Sequence, residues 1–289
     1  MSTSIGTGVG RVSDFRVVGI VNVTPDSFSD GGRYLDRGAA IEHGLELEAE
    51  GAAILDIGGE STRPGAEPVP ASVELGRVVP VIEGLVAAGA RAQISIDTSK
   101  ASVAAAALAA GATLVNDVTA FRHDPEIAAV VARGGADCCL MHMLGEPRTM
   151  QDDPRYEDVV AEVRAFLGAR VAFARAAGVP EQRIIVDPGI GFGKTAAHNL
   201  ELLARLDELV TIGRPVMIGT SRKSFLGRLT EREADQRLAG TIATNVLAYE
   251  RGASIFRVHD VAPVYDALKV AAATVRGEWA STTPTSSTT

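Results

Sequence analysis

Acidic and amide side chains stand directly after several short apolar runs of the chain. Asp97 follows residues 94–96, Asn116 follows 114–115, and Asp187 follows 184–186. An ionised carboxylate accepts two parallel N–H bonds and an amide both donates and accepts, so the three together suit the donor edge of an amino-pyrimidinone ring. Each residue alone is more simply a buried polar group bonded to nearby backbone. Their repetition after equivalent runs favours a ligand.

Cationic side chains follow two later apolar runs. Residues 221–224 (Ser-Arg-Lys-Ser) follow 216–218, and Arg257 and His259 follow 255–256. One such cation could be an ordinary strand-end side chain with its charge in water. Two adjacent clusters favour an anion, and their density suggests a diphosphate. Asp260 is the predicted N-cap of the last helix.

Two glycine-containing loops carry oxygen ligands and a guanidinium. Asn22 opens the loop of residues 22–32, and its amide oxygen suits Mg²⁺, which prefers one or two protein oxygens together with substrate phosphate. In residues 58–65, Thr62 offers a hydroxyl and Arg63 a planar fork of donors. Turn composition alone would explain both loops. The functional interpretation depends on where the fold places them.

The elements that must position these residues follow a repeated pattern. Eight apolar runs of strand length are typical of parallel strands buried on both faces. Stretches of helical period, about eight of them, lie between the runs; residues 101–110 are the most alanine-rich. The pattern predicts an α/β fold, a single (β/α)8 TIM barrel with its active site at the C-terminal ends of the strands. The alternative, a doubly wound open sheet, often has a G-x-G-x-x-G turn after its first strand, and none follows here.

Within the 289 residues we expect a barrel domain over 14–278, a flexible N-terminus over 1–13 and a disordered tail over 279–289. The net charge of −8 argues against a nucleic-acid partner. No apolar stretch of about 20 residues predicts a membrane span, and the first residues lack a signal-peptide pattern. The only cysteines, Cys138 and Cys139, are adjacent and exclude a disulfide framework, so we expect a cytoplasmic protein.

Two further patterns are rejected as functional motifs. His142 stands near Cys139, but no H-x-H, H-E-x-x-H or C-x-x-C spacing supports zinc. The segment 189–195 (Gly-Ile-Gly-Phe-Gly-Lys-Thr) lacks the spacing of a Walker phosphate loop. We expect Phe192, within it, to form the wall of a pocket.

Taken in order, these motifs resemble those of the dihydropteroate synthase family over about residues 15–277. The matching segments run from Asn22 to Gly32, Asp56 to Gly65, Ser95 to Thr98, Val115 to Val118, Leu140 to His142, Asp187 to Phe192, Ser221 to Gly227 and Arg257 to Asp260. Several motifs in the order of one family are far more specific than any single motif.

The resemblance implies a TIM barrel, a homodimer, and condensation of (7,8-dihydropterin-6-yl)methyl diphosphate with 4-aminobenzoate to 7,8-dihydropteroate and diphosphate. It also implies a role for each matching residue: Asp97, Asn116, Asp187 and Lys223 would hold the pterin, with Met141 against its ring; Asn22 would bind Mg²⁺; Thr62, Arg63, Arg257 and His259 would hold the diphosphate; Phe192, Lys223 and Ser224 would border the aminobenzoate site, with Asp30 and Arg63 closing over it.

We expect a dissociative reaction in which Asp97 and Asp187 stabilise positive charge on the pterin, while Lys223, Asp30 and Arg63 complete the catalytic set. Asp56 and Asp117 are expected to support neighbouring loops, and His142 to pack beside Met141. Two alternatives stay open. A pterin-binding methyltransferase domain serving a corrinoid partner would share the barrel and the carboxylates without needing the anion site. A non-catalytic paralogue would bind pterin without turnover.

Overall fold

A computed structural model describes residues 15–24, 37–61, 65–146 and 148–277. Eight parallel strands form one sheet in the order β6-β5-β4-β3-β2-β1-β8-β7, which confirms the predicted barrel. Every one of the eight apolar runs contributes a strand. The strands are β1 (Arg16–Asn22), β2 (Ile54–Gly58), β3 (Gln93–Asp97), β4 (Leu114–Asp117), β5 (Asp137–Met141), β6 (Ile184–Asp187), β7 (Met217–Ile218) and β8 (Ile255–Val258).

Helices follow the strands and cover the outside of the sheet. Those in the described ranges are α1 (Arg37–Ala49), α2 (Ala71–Ala87), α3 (Ala101–Ala110), α4 (Glu126–Gly134), α5 (Val159–Ala176), α6 (Ala196–Ala204), α7 (Leu206–Val210), α8 (Ser224–Thr230), α9 (Leu238–Glu250) and α10 (Val261–Arg276). Helix α3 coincides with the predicted stretch 101–110.

The described residues contain ten helices where about eight were expected. One extra helix arises because the chain through Leu200, Leu203 and Leu206, whose spacing alone fits one continuous helix, breaks at Arg205. The backbone of Arg205 (φ −111°, ψ 30°) leaves the helical region. The other is α8, a helix of seven residues between β7 and α9. Hydrophobic spacing reports a face to be buried and not a change of helix direction, so neither break was visible in it.

The barrel closes unevenly. Ladders of four or five paired residues join most neighbouring strands, but β6 and β7 meet through a single bridge between Val186 and Val216. The amide of Val186 donates to the carbonyl of Pro215 at 3.0 Å. This seam lies between the strands that precede the loops of Phe192 and Lys223.

An apolar layer fills the interior of the barrel. It takes one buried side chain from every strand except β3: Val18, Ile54, Leu114, Cys139, Ile185, Met217 and Ile255. Side chains two positions apart on a strand point to the same face. Two positions beyond the apolar layer, the interior positions of β2, β4, β6 and β8 form a polar layer of Asp56, Asn116, Asp187 and Arg257. This layer lies at the C-terminal ends of the strands, which form the mouth of the barrel.

The alternate strand residues point outwards into the larger core beneath the helices. Leu55, Val115 and Phe256 are fully buried there, as are Val264 and Leu268 on α10. The helices thus hold the strands from outside while the apolar layer holds them from inside. The polar side chains at the C-terminal ends of the strands are fixed in position as a result.

The predicted flexible N-terminus, the predicted tail and much of the first loop lie outside the described residues. The barrel domain predicted over 14–278 contains all of the described ranges, although its boundaries stay predictions. Among the helices described, none is long and apolar enough to cross a membrane.

Replacement of Phe256 by alanine tests the outer core. The ring is fully buried and lies 6.3 Å from the ring of Tyr249, so its removal leaves a cavity beneath the helices. We expect the free energy of unfolding, measured by chemical denaturation, to fall by about 3–5 kcal/mol. Val73→Ala is the control, because Val73 of α2 is 43% exposed and its truncation should cost less than about 0.5 kcal/mol. Equal losses in the two variants would contradict this account of the core.

Candidate active site

The carboxylate of Asp56 lies at the centre of the polar layer. It is 1% exposed and accepts from Ser95 Oγ at 2.6 Å, from Asn116 Nδ2 at 3.0 Å and from Arg257 Nε at 2.6 Å. These donors come from three different strands, so Asp56 connects β2, β3, β4 and β8 inside the barrel. The expectation that Asp56 supports a neighbouring loop is therefore wrong. Its spacing of two from Ile54 was the signal that could have placed it.

The orientation of Asn116 follows from this contact. An ionised carboxylate only accepts, so the amide must turn Nδ2 towards Asp56. Its Oδ1 atom is then left to accept from a ligand. Asn116 lies beside Asp97 in the β3–β4 register, which brings two of the predicted pterin-binding residues together.

Asp97 shares a guanidinium with Asp56. Its Oδ2 accepts from Arg257 Nη2 at 2.9 Å. Burial raises the pKa of Asp97 to about 8; Arg257 opposes the rise, and the nearby carboxylates of Asp56, Glu74 and Asp117 add to it. For Arg257, burial disfavours the charge, but Asp56 and Asp97 outweigh that effect and raise its pKa. The guanidinium thus stays charged and balances the two carboxylates.

Asp187 and Lys223 form a second charged group across the mouth. Burial raises the pKa of Asp187, against the opposing charge of Lys223, and its Oδ1 accepts from the Gly189 amide at 2.7 Å. Lys223 Nζ donates to the carbonyl of Ile190 and lies 4.5 Å from the centre of the Phe192 ring. Burial lowers the pKa of Lys223 to about 8, although Asp187 opposes the shift. Lys223 therefore joins the pterin side of the mouth to the Phe192 side.

An apolar wall completes this part of the mouth. Met141 packs in one cluster with Val118, Met143 and Met150, and the half-buried Phe192 ring packs against the cluster. Thioether and aromatic groups of this kind suit the face of a planar ring. The two residues predicted to contact rings, Met141 and Phe192, thus lie in the same wall.

The predicted anion side is organised around Ser221 and His259. Ser221 Oγ lies 3.0 Å from His259 Nδ1 and accepts from the His259 amide at 3.1 Å. The neighbouring Arg222 binds the carboxylate of Asp260, with Nε donating at 2.9 Å. Its charge is therefore already balanced. Asp260 precedes α10 as expected, but its side chain does not cap the helix, because it is engaged by Arg222 instead.

Asn22 ends β1 within the same mouth. Its Oδ1 and the Asp97 carboxylate approach Gly58 from either side, at 3.8 Å and 3.9 Å from the position that a Cβ on Gly58 would occupy. One amide oxygen next to a carboxylate fits an ion held mainly by substrate oxygens. The described residues contain no group of three or more His, Cys, Asp and Glu side chains arranged for a metal.

Four of the predicted site residues are not part of the contacts described above. Ser224 is exposed at the start of α8. Asp30, Thr62 and Arg63 lie outside the described residues. Asp117 supports its loop as expected, accepting from the Thr119 and Phe121 amides at 2.8 Å and 2.7 Å.

His142 is a packing residue. Its ring meets Phe166 edge to face with the centres 4.8 Å apart, and burial lowers its pKa to about 2. A neutral imidazole can use Nδ1 as an acceptor, and Lys194 Nζ lies 2.9 Å from that atom. Sequence reasoning missed Lys194, because the segment around it was tested only as a phosphate loop.

Comparison with known proteins gives one consistent family. A family model described as pterin binding enzyme matches residues 18–259. The dihydropteroate synthase of Mycobacterium leprae is 51% identical over 89% of this chain and 93% of its own. A structure of Xanthomonas albilineans dihydropteroate synthase with 4-aminobenzoic acid is 52% identical, with a TM-score of 0.86 over 91% of this chain and 94% of that one. A structure of the same enzyme with 7,8-dihydropteroate is 48% identical, with a TM-score of 0.82 over 92% and 97%.

Asp56→Asn tests the centre of the polar layer. An asparagine would leave Arg257 with less compensating charge, and with its oxygen kept towards Asn116 and Arg257 its amide nitrogen would face Ser95 Oγ, which would then have to accept. We expect the free energy of unfolding to fall by about 3 kcal/mol, as for other broken buried charge pairs. The control is Asp137→Asn at the opposite end of the barrel, where the carboxylate is 27% exposed and pairs with Arg183 at 3.3 Å. That loss should stay near ~1 kcal/mol, and an equally small loss for Asp56→Asn would refute its central role.

Proposed function

This chain belongs to the dihydropteroate synthase family of pterin-binding enzymes, and on that premise we propose which of its residues perform each step. The enzyme is a transferase that condenses (7,8-dihydropterin-6-yl)methyl diphosphate with 4-aminobenzoate to give 7,8-dihydropteroate and diphosphate. The C–O bond between the pterin methylene and the diphosphate breaks, a C–N bond to the aromatic amine forms, and the amine loses a proton.

The observation that best supports the proposal is the convergence of acceptors and cations in one barrel mouth. Asp97, Asn116 and Asp187 come from β3, β4 and β6, whereas Arg257 and Lys223 come from β8 and the loop after β7. The first three provide the acceptor set for the pterin ring, with Lys223 contributing a donor. Met141, in the apolar wall, would contact the face of that ring.

The two pterin carboxylates also explain how the reaction is accelerated. Departure of the diphosphate leaves positive charge on the methylene and the dihydropterin ring. Negative charges already fixed nearby stabilise such a transition state without reorganising. In their ionised forms Asp97 and Asp187 occupy fixed positions of this kind, because Arg257 holds the first and the Gly189 amide holds the second. The amine needs no strong base, since an aromatic amine is already neutral and nucleophilic at pH 7.

The diphosphate lies towards the loops after β7 and β8 in this proposal. His259 and Arg257 contact it from within the described residues, and Thr62 and Arg63 are proposed from sequence. Arg257 would use Nη1, because Nε and Nη2 already bind Asp56 and Asp97. Mg²⁺, held by Asn22 Oδ1, would supply neutralisation of the leaving charge.

The 4-aminobenzoate site is proposed beside Phe192, Lys223 and Ser224, with Asp30 and Arg63 closing over it. The Lys223 ammonium suits the benzoate carboxylate, and the Phe192 ring suits its aromatic face. The X. albilineans enzyme bound to 4-aminobenzoic acid and to 7,8-dihydropteroate supports a site for both substrates in this fold.

Two properties of the whole protein stay proposals. A homodimer is supported by exposed apolar side chains on neighbouring helices, with Leu247 of α9 46% and Val270 of α10 68% exposed. Sedimentation that gives a monomer mass would refute it. A cytoplasmic location is supported by the two cysteines, which are buried and unpaired.

A direct assay with the pterin diphosphate and 4-aminobenzoate tests the function against its alternatives. We expect diphosphate release coupled to dihydropteroate formation, with activity falling by at least about tenfold when Mg²⁺ is chelated. In Asn22→Ala the Mg²⁺ concentration for half-maximal activity should rise, because an oxygen ligand is lost. Pterin binding without diphosphate release would favour the non-catalytic paralogue. The methyltransferase alternative is already disfavoured by the names of the close relatives.

Asp97→Asn tests charge stabilisation on the pterin. We expect kcat to fall by at least about tenfold, or ~1.4 kcal/mol of transition-state stabilisation. In the wild type kcat/KM should rise with pH up to about 8 as Asp97 ionises, and decline above about 8 as Lys223 loses its proton. The variant should lose the part of the acid limb that Asp97 sets and keep the alkaline limb. Turnover within about threefold of wild type (~0.6 kcal/mol) would contradict charge stabilisation by Asp97. Asp137→Asn is the matched control.

A further inference from the structure

The loop of residues 188–195, between β6 and α6, is held by side chains rather than by regular secondary structure. Successive backbone carbonyls of this loop each accept from a side-chain donor. The pairs are Gly189 with Lys194, Ile190 with Lys223, Gly191 with Gln151, Phe192 with Lys194, and Gly193 with Tyr156. Lys194 is the donor that appears twice. The loop also carries Phe192, so its position matters for the aminobenzoate site.

Lys194 extends from the loop into the protein. The residue is 3% exposed, and its Nζ lies 3.0 Å from Gly189 O, 2.9 Å from Phe192 O and 3.3 Å from His142 O. His142 Nδ1 lies 2.9 Å from the same Nζ. No carboxylate bonds Lys194 in the described residues, so this amine is surrounded by backbone oxygens and one imidazole. A buried lysine is costly unless its donors are fully used, and here they are.

Two glycines allow the loop to lie directly on the segment that follows β5. A Cβ on Gly189 would stand 1.9 Å from His142 O, and a Cβ on Gly193 would stand 2.4 Å from Leu144 O. Both glycines have positive φ, 65° and 60°. Backbone therefore meets backbone at this contact, and Lys194 crosses it. The glycine-rich segment that was rejected as a phosphate loop thus serves packing.

We propose that Lys194 is a positioning residue for the 4-aminobenzoate end of the site. It ties the Phe192 carbonyl and the Gly189 carbonyl to His142, and the intervening Ile190 carbonyl accepts from Lys223. Lys194 thereby sets the distance between the Phe192 ring and the Lys223 ammonium. Asp97 and Asn116, which bind the pterin, stand on other strands, and Asp187 is held in β6 by its pairing with Met141, so the pterin side depends on Lys194 less than the Phe192 side does. The inference rests on the proposed function, because it assigns the Phe192 side to the aromatic carboxylate substrate.

Lys194→Met tests this proposal, because methionine keeps length and apolar bulk while removing the donors. We expect the KM for 4-aminobenzoate to rise by about tenfold or more, with the KM for the pterin diphosphate and kcat within about threefold of wild type. A residue that merely stabilised the fold would lower the amount of active enzyme and leave both KM values unchanged. Both KM values within about twofold, or an equal rise in both, would overturn the proposal.

The matched control is Arg214→Met. Arg214 also donates to a backbone carbonyl, that of Glu181 at 2.7 Å, but it lies before β7 at the opposite end of the barrel. It should lower thermal stability without changing either KM. If Lys194→Met fails to fold, His142→Phe replaces it, since phenylalanine keeps the edge contact with Phe166 and removes the Nδ1 acceptor. The same selective rise in the KM for 4-aminobenzoate, of smaller size, is then expected, and its absence would overturn the proposal.

Hydrogen exchange separates failure of this proposal from failure of the proposed function. The Gly191 amide donates to Asn199 Oδ1 at 2.7 Å and should be protected in the wild type. We expect its exchange to be faster by about tenfold in Lys194→Met and unchanged in Arg214→Met. If exchange is faster in Lys194→Met but the wild type has no synthase activity, the loop assignment stands and the proposed function is rejected. Unchanged exchange would reject the role of Lys194 whatever the activity.

Discussion

The two-residue period of the strands is the constraint on which the site depends. A barrel interior admits one side chain in two from each strand, so the residue that follows an apolar interior position by two must also lie inside. In β2, β4, β6 and β8 that residue is polar. The apolar layer below and the helical core outside leave these groups no alternative direction. The polar layer exists because the chain cannot turn its side chains away.

Charged side chains confined inside the barrel need partners of opposite charge. Three carboxylates, Asp56, Asp97 and Asp187, share a small interior with Arg257 and Lys223, and each must be compensated where water is scarce. Arg257 serves two carboxylates at once, and the pKa values of Asp97 and Lys223 move towards each other from opposite sides. A neutral, planar ligand with donors on one edge suits such a mouth. Positive charge developing on that ligand suits it better still.

Sequence reasoning succeeded where a local pattern carries the information. Apolar runs located all eight strands, and the polar residues after them located Asp97, Asn116 and Asp187 at one rim. It failed where the answer depends on a distant partner. Asp56 and Asp97 look equivalent in sequence, yet only contact across the barrel makes Asp56 the centre of the network. Asp260 satisfied the rule for an N-cap but faces Arg222, which no local spacing reveals. The break of the helix at Arg205 and the contacts of Lys194 with backbone carbonyls likewise depend on tertiary structure.

The uneven closure of the barrel has a mechanical consequence. Strands β6 and β7 share one bridge, whereas other neighbours share ladders, so a small relative displacement of these two strands disturbs little of the sheet. The loop carrying Phe192 and the loop carrying Lys223 follow these two strands. The barrel is thus stiff at β3 and β4, where Asp97 and Asn116 bind the pterin, and compliant between the two sides of the aminobenzoate site. Adjustment to an incoming second substrate is concentrated at one seam, and the contacts of Asp97 and Asn116 with the first substrate are preserved.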